Sequence, residues 1–594
     1  MNDLELIKSK IDIVNFLSEY ITIKKAGRNF KANCPFHHEK TPSFVVSPER
    51  QSWHCFGACG EGGDIFDFLM KWENLEFSES IKILAQRAGI ELTQYQPSEP
   101  VKLKEKFFAI NRLAGEFYHY ILTSHNLGKK ALEYLKERYV RKETVETFKI
   151  GYSPNSWDAL YKFLTKKGYS RDDIYNAGFL VKSDRGGVYD RFRGRLMFTL
   201  YDHRGNPVGF SGRKMPPDTE KEAKYINSPE TPVYIKGNTL FGLNITKEAI
   251  KKEDEAILVE GEFDMLSSWQ SGVGNIVAIK GSALTEGQIN LLKRYTTNIT
   301  MSLDSDLAGN AAAMRGIELA DAAGFNIKVV KLLYGKDPDE CVQKDASLWK
   351  KSVKEALPVY DFVINSSFEK NDPGSALGKK KISEEVVPFL AKISNSILVS
   401  HYVKLFAKKL DVSEEAVYSQ IGKQKKTENV GNKRVEEKPS VRNRQELLEE
   451  HILSLVLQSP NPKLNTEEIF SKLTGSDFHE IPVRKILEEL VSFFAAHDTL
   501  DIKNFAEKIN KEFLSTFDRC YLKEIGTSME DGEIFDRDFK KSVRDMLVFS
   551  LKRKINENST KLSGSDSKDD EEVEKLRIET QKLIGELQTA SEEV

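Results

Sequence analysis

Ala256-Ile-Leu-Val-Glu-Gly261 and Ile299-Thr-Met-Ser-Leu-Asp-Ser-Asp306 are built alike: a short, largely apolar run that ends on carboxylates. Such runs read as strands buried on both faces. Asn275-Ile-Val-Ala-Ile279 and Ile327-Lys-Val-Val-Lys331 repeat the pattern, with helical stretches between them. This alternation predicts a parallel sheet. In such sheets, sites form at the carboxyl ends of the strands. Glu260 follows the first strand, and Asp304 and Asp306 follow the third. Asp337 and Asp339, in Lys336-Asp-Pro-Asp-Glu340, come after the fourth. All three groups are expected at one edge. Carboxylates drawn together repel unless cations intervene. Hard oxygen ligands suit magnesium, which keeps some waters and binds substrate phosphates. Two such ions, roughly 4 Å apart, can activate an attacking hydroxyl and stabilise a leaving pyrophosphate.

Upstream lies a basic, glycine-containing approach: Tyr189-Asp-Arg-Phe-Arg-Gly-Arg195, Val208-Gly-Phe-Ser-Gly-Arg213, Lys224-Tyr-Ile-Asn-Ser-Pro-Glu-Thr231 and Lys236-Gly237. Arginines and lysines so spaced can line a groove for a polyanion. Net charge is only -2, so bulk charge announces no nucleic-acid partner, and local clusters must supply any binding surface.

Nearer the start, Cys34-Pro-Phe-His37 and Cys55-Phe-Gly-Ala-Cys59 form two ligand pairs. Three thiolates and one imidazole make a closed tetrahedral shell for a single structural zinc. His38 and His54 lie beside these ligands and compete for the fourth place; the two-residue gap favours His37. Phe44-Val-Val46 and Trp53 suit strands between the two metal-bearing turns, as in a zinc ribbon. Cytosolic cysteines are normally reduced, which argues against disulfides.

The chain of 594 residues exceeds one core, and 40% hydrophobic with 30% charged residues fits a globular protein. No apolar run is long enough to span a membrane, and the acidic Met1-Asn-Asp-Leu-Glu5 does not read as a signal peptide, so the cytosol is the expected compartment. Boundaries are expected at 1–95 for the zinc-binding head, with helices at about 3–21 and 64–92, and at 101–425 for the central domain. The polar stretch 423–444 is the linker, and 445–594 reads as all helix. Within the central domain the strand-rich part spans about 254–345, and helices fill about 357–425.

Cys34-Pro-Phe-His-His-Glu-Lys-Thr-Pro-Ser-Phe44, His54-Cys-Phe-Gly, Gly62-Gly63 and Phe66-Asp-Phe-Leu-Met70 closely resemble the zinc domain of bacterial DnaG-type primases. Glu260-Gly-Glu-Phe-Asp264 and Asp304-Ser-Asp-Leu-Ala-Gly309 resemble the primase version of the Toprim fold, as do Gly281-Ser-Ala-Leu-Thr285 and Lys336-Asp-Pro-Asp-Glu340. Three departures stand out. Cys55 and Cys59 are separated by three residues where the family usually has two. Lys280 occupies a position more often leucine. Arg195-Leu-Met-Phe-Thr-Leu200 lacks the usual proline.

The resemblance implies a multi-domain protein with a zinc-ribbon head, a central α/β Toprim-containing RNA polymerase domain and an all-α C-terminal domain. It implies a DNA primase that makes short RNA primers on single-stranded DNA from ribonucleoside triphosphates during replication. Glu260, Asp304 and Asp306 would be catalytic and metal-binding, with Asp337 and Asp339 assisting. Two or more magnesium ions are implied, with manganese able to substitute. Arg191, Arg193, Arg213, Lys224, Asn227 and Lys236 would face template or nucleotide. Lys31, Lys40, Arg50 and Trp53 would help the head engage template. The C-terminal domain would bind the replicative helicase, and the chain would act as a monomer. Alternatives are another Toprim enzyme, a topoisomerase or nuclease, or a zinc-ribbon DNA-binding protein. A fused helicase is excluded, because no Gly-x-x-x-x-Gly-Lys-Ser/Thr loop is present.

Overall fold

The computed structural model describes residues 3–592 apart from 38, 40, 74, 93–97, 184–185, 217–222, 282, 303–310, 394, 432–443, 524, 526–531 and 564–569. It divides into two compact units. Residues 1–97 and 435–594 form one, and residues 98–434 the other.

In the first unit, the head carries the antiparallel strands β1 (Lys24–Ala26), β2 (Asn29–Ala32), β3 (Phe44–Ser47), β4 (Ser52–Cys55) and β5 (Gly62–Gly63), in that spatial order. The expected leading helix is broken into Asp3–Lys10 and Ile13–Ser18. The cause is Asp12, whose side chain accepts from the Asn15 N–H and caps a new helix. The segment expected as helix at 64–92 is likewise two helices, Ile65–Glu73 and Phe77–Ala88.

Trp53 requires a correction. It is 1% exposed, stacks on Phe44 at 4.9 Å and donates its indole N–H to the Asp64 carbonyl. It belongs to the head's core and offers no face to a base. Strands β3 and β4 are buried throughout, because the head's own core takes Phe44, Val46, Trp53 and Cys55 and the tail helix Leu514–Leu522 packs on the sheet as well.

The tail of this unit is all helix. Ile452, Leu487, Phe505, Phe517 and Val543, from five different helices, meet in one core. Helices Gly532–Ser563 and Asp570–Glu592 pack on each other, as the three-four spacing near the end anticipates.

The second unit opens with the helix Glu99–Ser124, which has Pro100 in its first turn. An antiparallel lobe follows. Strands β6 (Gly151–Ser153), β9 (Arg195–Tyr201), β10 (Pro207–Lys214) and β11 (Tyr225–Asn227) run in the order β11-β10-β9-β6, beside a separate hairpin of β7 (Leu180–Lys182) and β8 (Val188–Asp190).

The parallel sheet is as expected. It comprises β12 (Ala256–Val259), β13 (Ile276–Ala278), β14 (Asn298–Ser302) and β15 (Asn326–Val329), in the order β13-β12-β14-β15. An antiparallel edge strand, β16 (Leu357–Pro358), joins β15. Both faces of β12 are covered, which is why its run is uninterruptedly apolar. Ala256 and Leu258 enter a core shared with the helices of 359–421, while Ile257 and Val259 pack toward the antiparallel lobe. The helix Glu414–Gly431 carries helical backbone past residue 423, so the expected linker begins inside a helix. Among the described residues no helix is long and apolar enough to cross a membrane.

Candidate active site and metal centre

In the head, Cys34, His37, Cys55 and Cys59 bring their ligand atoms within 4.8 Å of one another. Cys34 Sγ lies 3.6 Å from Cys59 Sγ, and Cys55 Sγ lies 3.7 Å from His37 Nδ1. A tetrahedral zinc with bonds near 2.3 Å sets sulfurs roughly 3.8 Å apart, so the spacing fits the metal. Peptide N–H groups of Phe36 and Gly57 donate to Cys34 and Cys55 Sγ, which suits thiolates. His54 is not part of the group; it packs edge-on against Phe56. His38 and Lys40 lie outside the described residues.

The longer second pair is accommodated by a turn. The Cys55 N–H donates to the Glu61 carbonyl, and Gly60 takes a left-handed φ of 59°. Gly57 is needed for room, because a Cβ there would come 2.6 Å from His37 Nε2. Sequence reasoning missed Glu39. Its carboxylate accepts from the N–H groups of Cys34 and Ser43 and from the Ser43 hydroxyl, and it lies 3.1 Å from His37 Nε2. Burial opposes its charge, yet the hydrogen bonds from Ser43 and Cys34 hold its carboxyl below the usual range. It fixes both ends of the first turn and orients the imidazole.

In the second unit, a cavity of about 600 Å³ opens at the carboxyl end of β12. Glu260, Asp337 and Asp339 line it, as do Arg213, Lys224 and Asn227. Strand pairing explains the basic wall. Ser211 pairs with Asn227 and Arg213 with Tyr225, so β10 and β11 present their polar side chains together. Val259 pairs with Ser302, so β14 ends beside Glu260. Asp304 and Asp306 come next and lie outside the described residues.

The remaining expected residues sit elsewhere. Arg191 donates to the Gly178 carbonyl, and Arg193 lies over Trp157 and Tyr189 at 4.4 and 4.7 Å. Lys236 occupies a 3-10 turn and does not line the cavity, but its charge reaches Lys280, which does.

The acids are held differently. Asp337 caps the helix Pro338–Lys344 by accepting from the Glu340 N–H at 2.8 Å. Asp339, 3% exposed, is paired with Arg138 and accepts from Ser267 and Gln343. Asp264 also lines the cavity. Burial, reinforced by the neighbouring charge of Asp337, pushes its carboxyl up to about 7. Burial raises Asp337 too. Buried acids whose neighbours' charges add to the cost of ionising are ones that a divalent cation would relieve.

Two guanidiniums pack on Phe263, Arg138 at 4.5 Å and Arg213 at 4.7 Å from its ring. Lys280, in left-handed backbone at φ 56°, is buried and pairs with buried Glu262 at 3.2 Å; it also donates to Asn227 at 3.3 Å. Burial lowers its pKa, with Glu262 opposing. Arg138, Asp264 and the Lys280–Glu262 pair were missed as site residues. Only the charged pattern of Glu260-Gly-Glu-Phe-Asp264 and the unusual lysine at 280 hinted at them.

The zinc ribbon, the acidic sheet edge and the facing basic strands match known proteins throughout. Residues 1–100 match the CHC2 zinc finger, 117–247 the N-terminal domain of the DNA primase catalytic core, and 257–342 a Toprim-like domain. Residues 360–415 match the DnaB-helicase binding domain of primase. The DNA primase of Clostridium acetobutylicum is 32% identical over 576 residues, covering 93% of each chain. The chain belongs to the DNA primase family. The DNA primase of Geobacillus stearothermophilus is 37% identical over 434 residues, 71% of each chain. The Aquifex aeolicus primase structure, of zinc-binding and RNA polymerase domains, is 33% identical and covers 70% of this chain and 99% of its own, with a TM-score of 0.47. Membership makes the chain a DNA primase, a primase-type RNA polymerase and thus a nucleotidyltransferase, with a zinc-binding head. The helicase-binding match falls in the helices of 360–415, ahead of the segment 445–594 on which that role was expected.

Proposed function

We propose that the acidic cavity builds short RNA primers on single-stranded DNA by two-metal nucleotidyl transfer during chromosome replication. The observation that carries this reading is the opposition of acids at the sheet edge to Arg213, Lys224 and Asn227 across one cavity. Glu260, Asp304 and Asp306 hold the cations, with Asp337 beside them. Asp339, already paired with Arg138, positions the helix behind them. Magnesium or manganese held by these carboxylates would supply the positive charge that acidifies an attacking 3′-hydroxyl and offsets the charge of a departing pyrophosphate. Arg213 and Lys224 attract the triphosphate, and Asn227 fixes an approach that Lys280 holds from behind. Arg191, Arg193 and Lys236 serve the template path. Arg193 with Trp157, which is 65% exposed, offers a stacking surface for an unpaired base.

The same reading has the zinc head engage template through Lys31, Lys40 and Arg50. It has the replicative helicase bind the helices of 360–415 and the tail of 445–594, and the chain act as a cytoplasmic monomer.

The test is primer synthesis on single-stranded DNA with labelled ribonucleoside triphosphates and magnesium. Asp304→Ala is expected to lose about a thousandfold in rate, roughly 4 kcal/mol of transition-state stabilisation. Undiminished synthesis by the variant would sink the assignment.

A further inference from the structure

The head and the tail share one compact unit, and their contact is built from charged and aromatic groups in register. Arg50, in the turn between β3 and β4, directs Nε and Nη2 to Asp518 Oδ1 at 3.0 and 2.8 Å. Its guanidinium lies 5.2 Å from the ring of Phe517. Arg28, in the turn between β1 and β2, lies 4.5 Å over the ring of Tyr521 and donates to the Tyr521 carbonyl at 3.1 Å. The Tyr521 hydroxyl donates to Glu49 Oε2 at 2.6 Å.

All three tail residues come from one helix, Leu514–Leu522, and Phe517 and Tyr521 are one helical turn apart on a single face. Both rings belong to the tail's own core, at 0% and 2% exposure. The head therefore caps that core, with two arginines and a carboxylate meeting complementary groups. The pair is well desolvated: the Arg50 side chain is 12% exposed and that of Asp518 23%.

We infer that the helix Leu514–Leu522 is a docking partner of the zinc ribbon, and that docking occupies the arginines with which the ribbon would hold template phosphates. This rests on the reading that the head engages template. A guanidinium committed to a carboxylate and an aromatic ring is not offered to a phosphate. Docking and template binding are thus mutually exclusive states of Arg28 and Arg50, and whatever draws the tail helix away exposes the ribbon.

The experiment uses the full, zinc-loaded chain and hydrogen–deuterium exchange over 48–52 and 514–522. In Asp518→Ala, in the shape-preserving Asp518→Asn and in Arg50→Asp, both segments are expected to lose protection together. Charge exchange in Arg50→Asp/Asp518→Arg should restore protection to both. Loss confined to the mutated segment, or no loss, overturns the docking. Binding of single-stranded oligonucleotide is then measured. Asp518→Ala is expected to bind roughly fivefold tighter, the scale of one or two regained phosphate contacts, and adding Arg28→Ala and Arg50→Ala should cancel the gain. Unchanged affinity despite lost protection overturns the masking. If Lys31→Ala in the undocked Asp518→Ala chain also leaves affinity unaltered, the template reading of the head is what has failed, and the docking stands on its protection data.

Discussion

The zinc cluster and the acidic cavity handle the same physical problem in opposite ways. Each gathers groups that repel when ionised. In the head the four donors already stand at metal-ligand spacing, peptide N–H groups donate to two of the sulfurs, and Glu39 ties the loop that carries them. Nothing is left open. In the cavity the acids come from separate elements, and two of them, Asp264 and Asp337, are pushed upward by burial, with neighbouring carboxylates adding to it. The difference separates a preformed ligand shell that suits a structural metal from an open acidic cavity that suits the exchangeable cations of the proposed reaction.

The comparison is broken most severely at the head. Cys34→Ser should abolish stoichiometric zinc and unfold residues 3–92, a loss of about 10 kcal/mol of coupled binding and folding. Retention of one zinc per chain by that variant would remove the contrast. In the cavity wall, Lys280→Met strands Glu262 as a buried unpaired charge, and the central unit should lose about 3 kcal/mol in its calorimetric transition. The double variant Lys280→Met/Glu262→Leu should recover most of that loss. Failure to recover would mean that the lysine acts through its strained backbone and not through the ion pair.

The smallest effect supplies a control. Asp477 is a buried acid that needs no metal. Burial opposes its charge, but Lys554, Ser550 and the Thr474 N–H and hydroxyl bring its carboxyl down to about 2. Because the folded value lies below the unfolded one, its stabilisation is complete above about pH 4 and is lost as pH falls through 2. It is worth about 2 kcal/mol. Acid unfolding of Asp477→Asn should lack that component of the pH slope; an identical slope in wild type and variant would place the charge's partners elsewhere.

The parts of this molecule legible in the sequence are those whose spacing encodes geometry. Paired ligands in two turns identified the zinc shell, and apolar runs ending on acids identified the parallel sheet and its working edge. Glu39 was invisible because its role depends on backbone N–H groups at Cys34 and Ser43, which carry no residue signature. Arg138 ends a helix far upstream of the acid it meets, so no local pattern reveals it. Trp53 misled because polar neighbours suggest a strand with one wet face, whereas the head's core and the tail helix Leu514–Leu522 together leave neither face open. Arg191 and Arg193 look like the rest of the basic approach, yet they stand outside the cavity lining, on the Gly178 carbonyl and on the rings of Trp157 and Tyr189, a placement that spacing alone does not convey. Asp304 and Asp306 lie outside the described residues, and their assignment is carried by the sequence pattern alone.

The ring of Phe263 carries one more consequence. It lies in the first turn of the helix that holds Asp264, and a helix-end arginine and a strand arginine clasp it, at 4.5 and 4.7 Å from its centre. An anion that recruits either guanidinium must loosen the clasp, and loosening it frees the start of the acid-bearing helix. Substrate entry and the stance of the carboxylates thereby become a single mechanical event, with an uncharged ring as the latch.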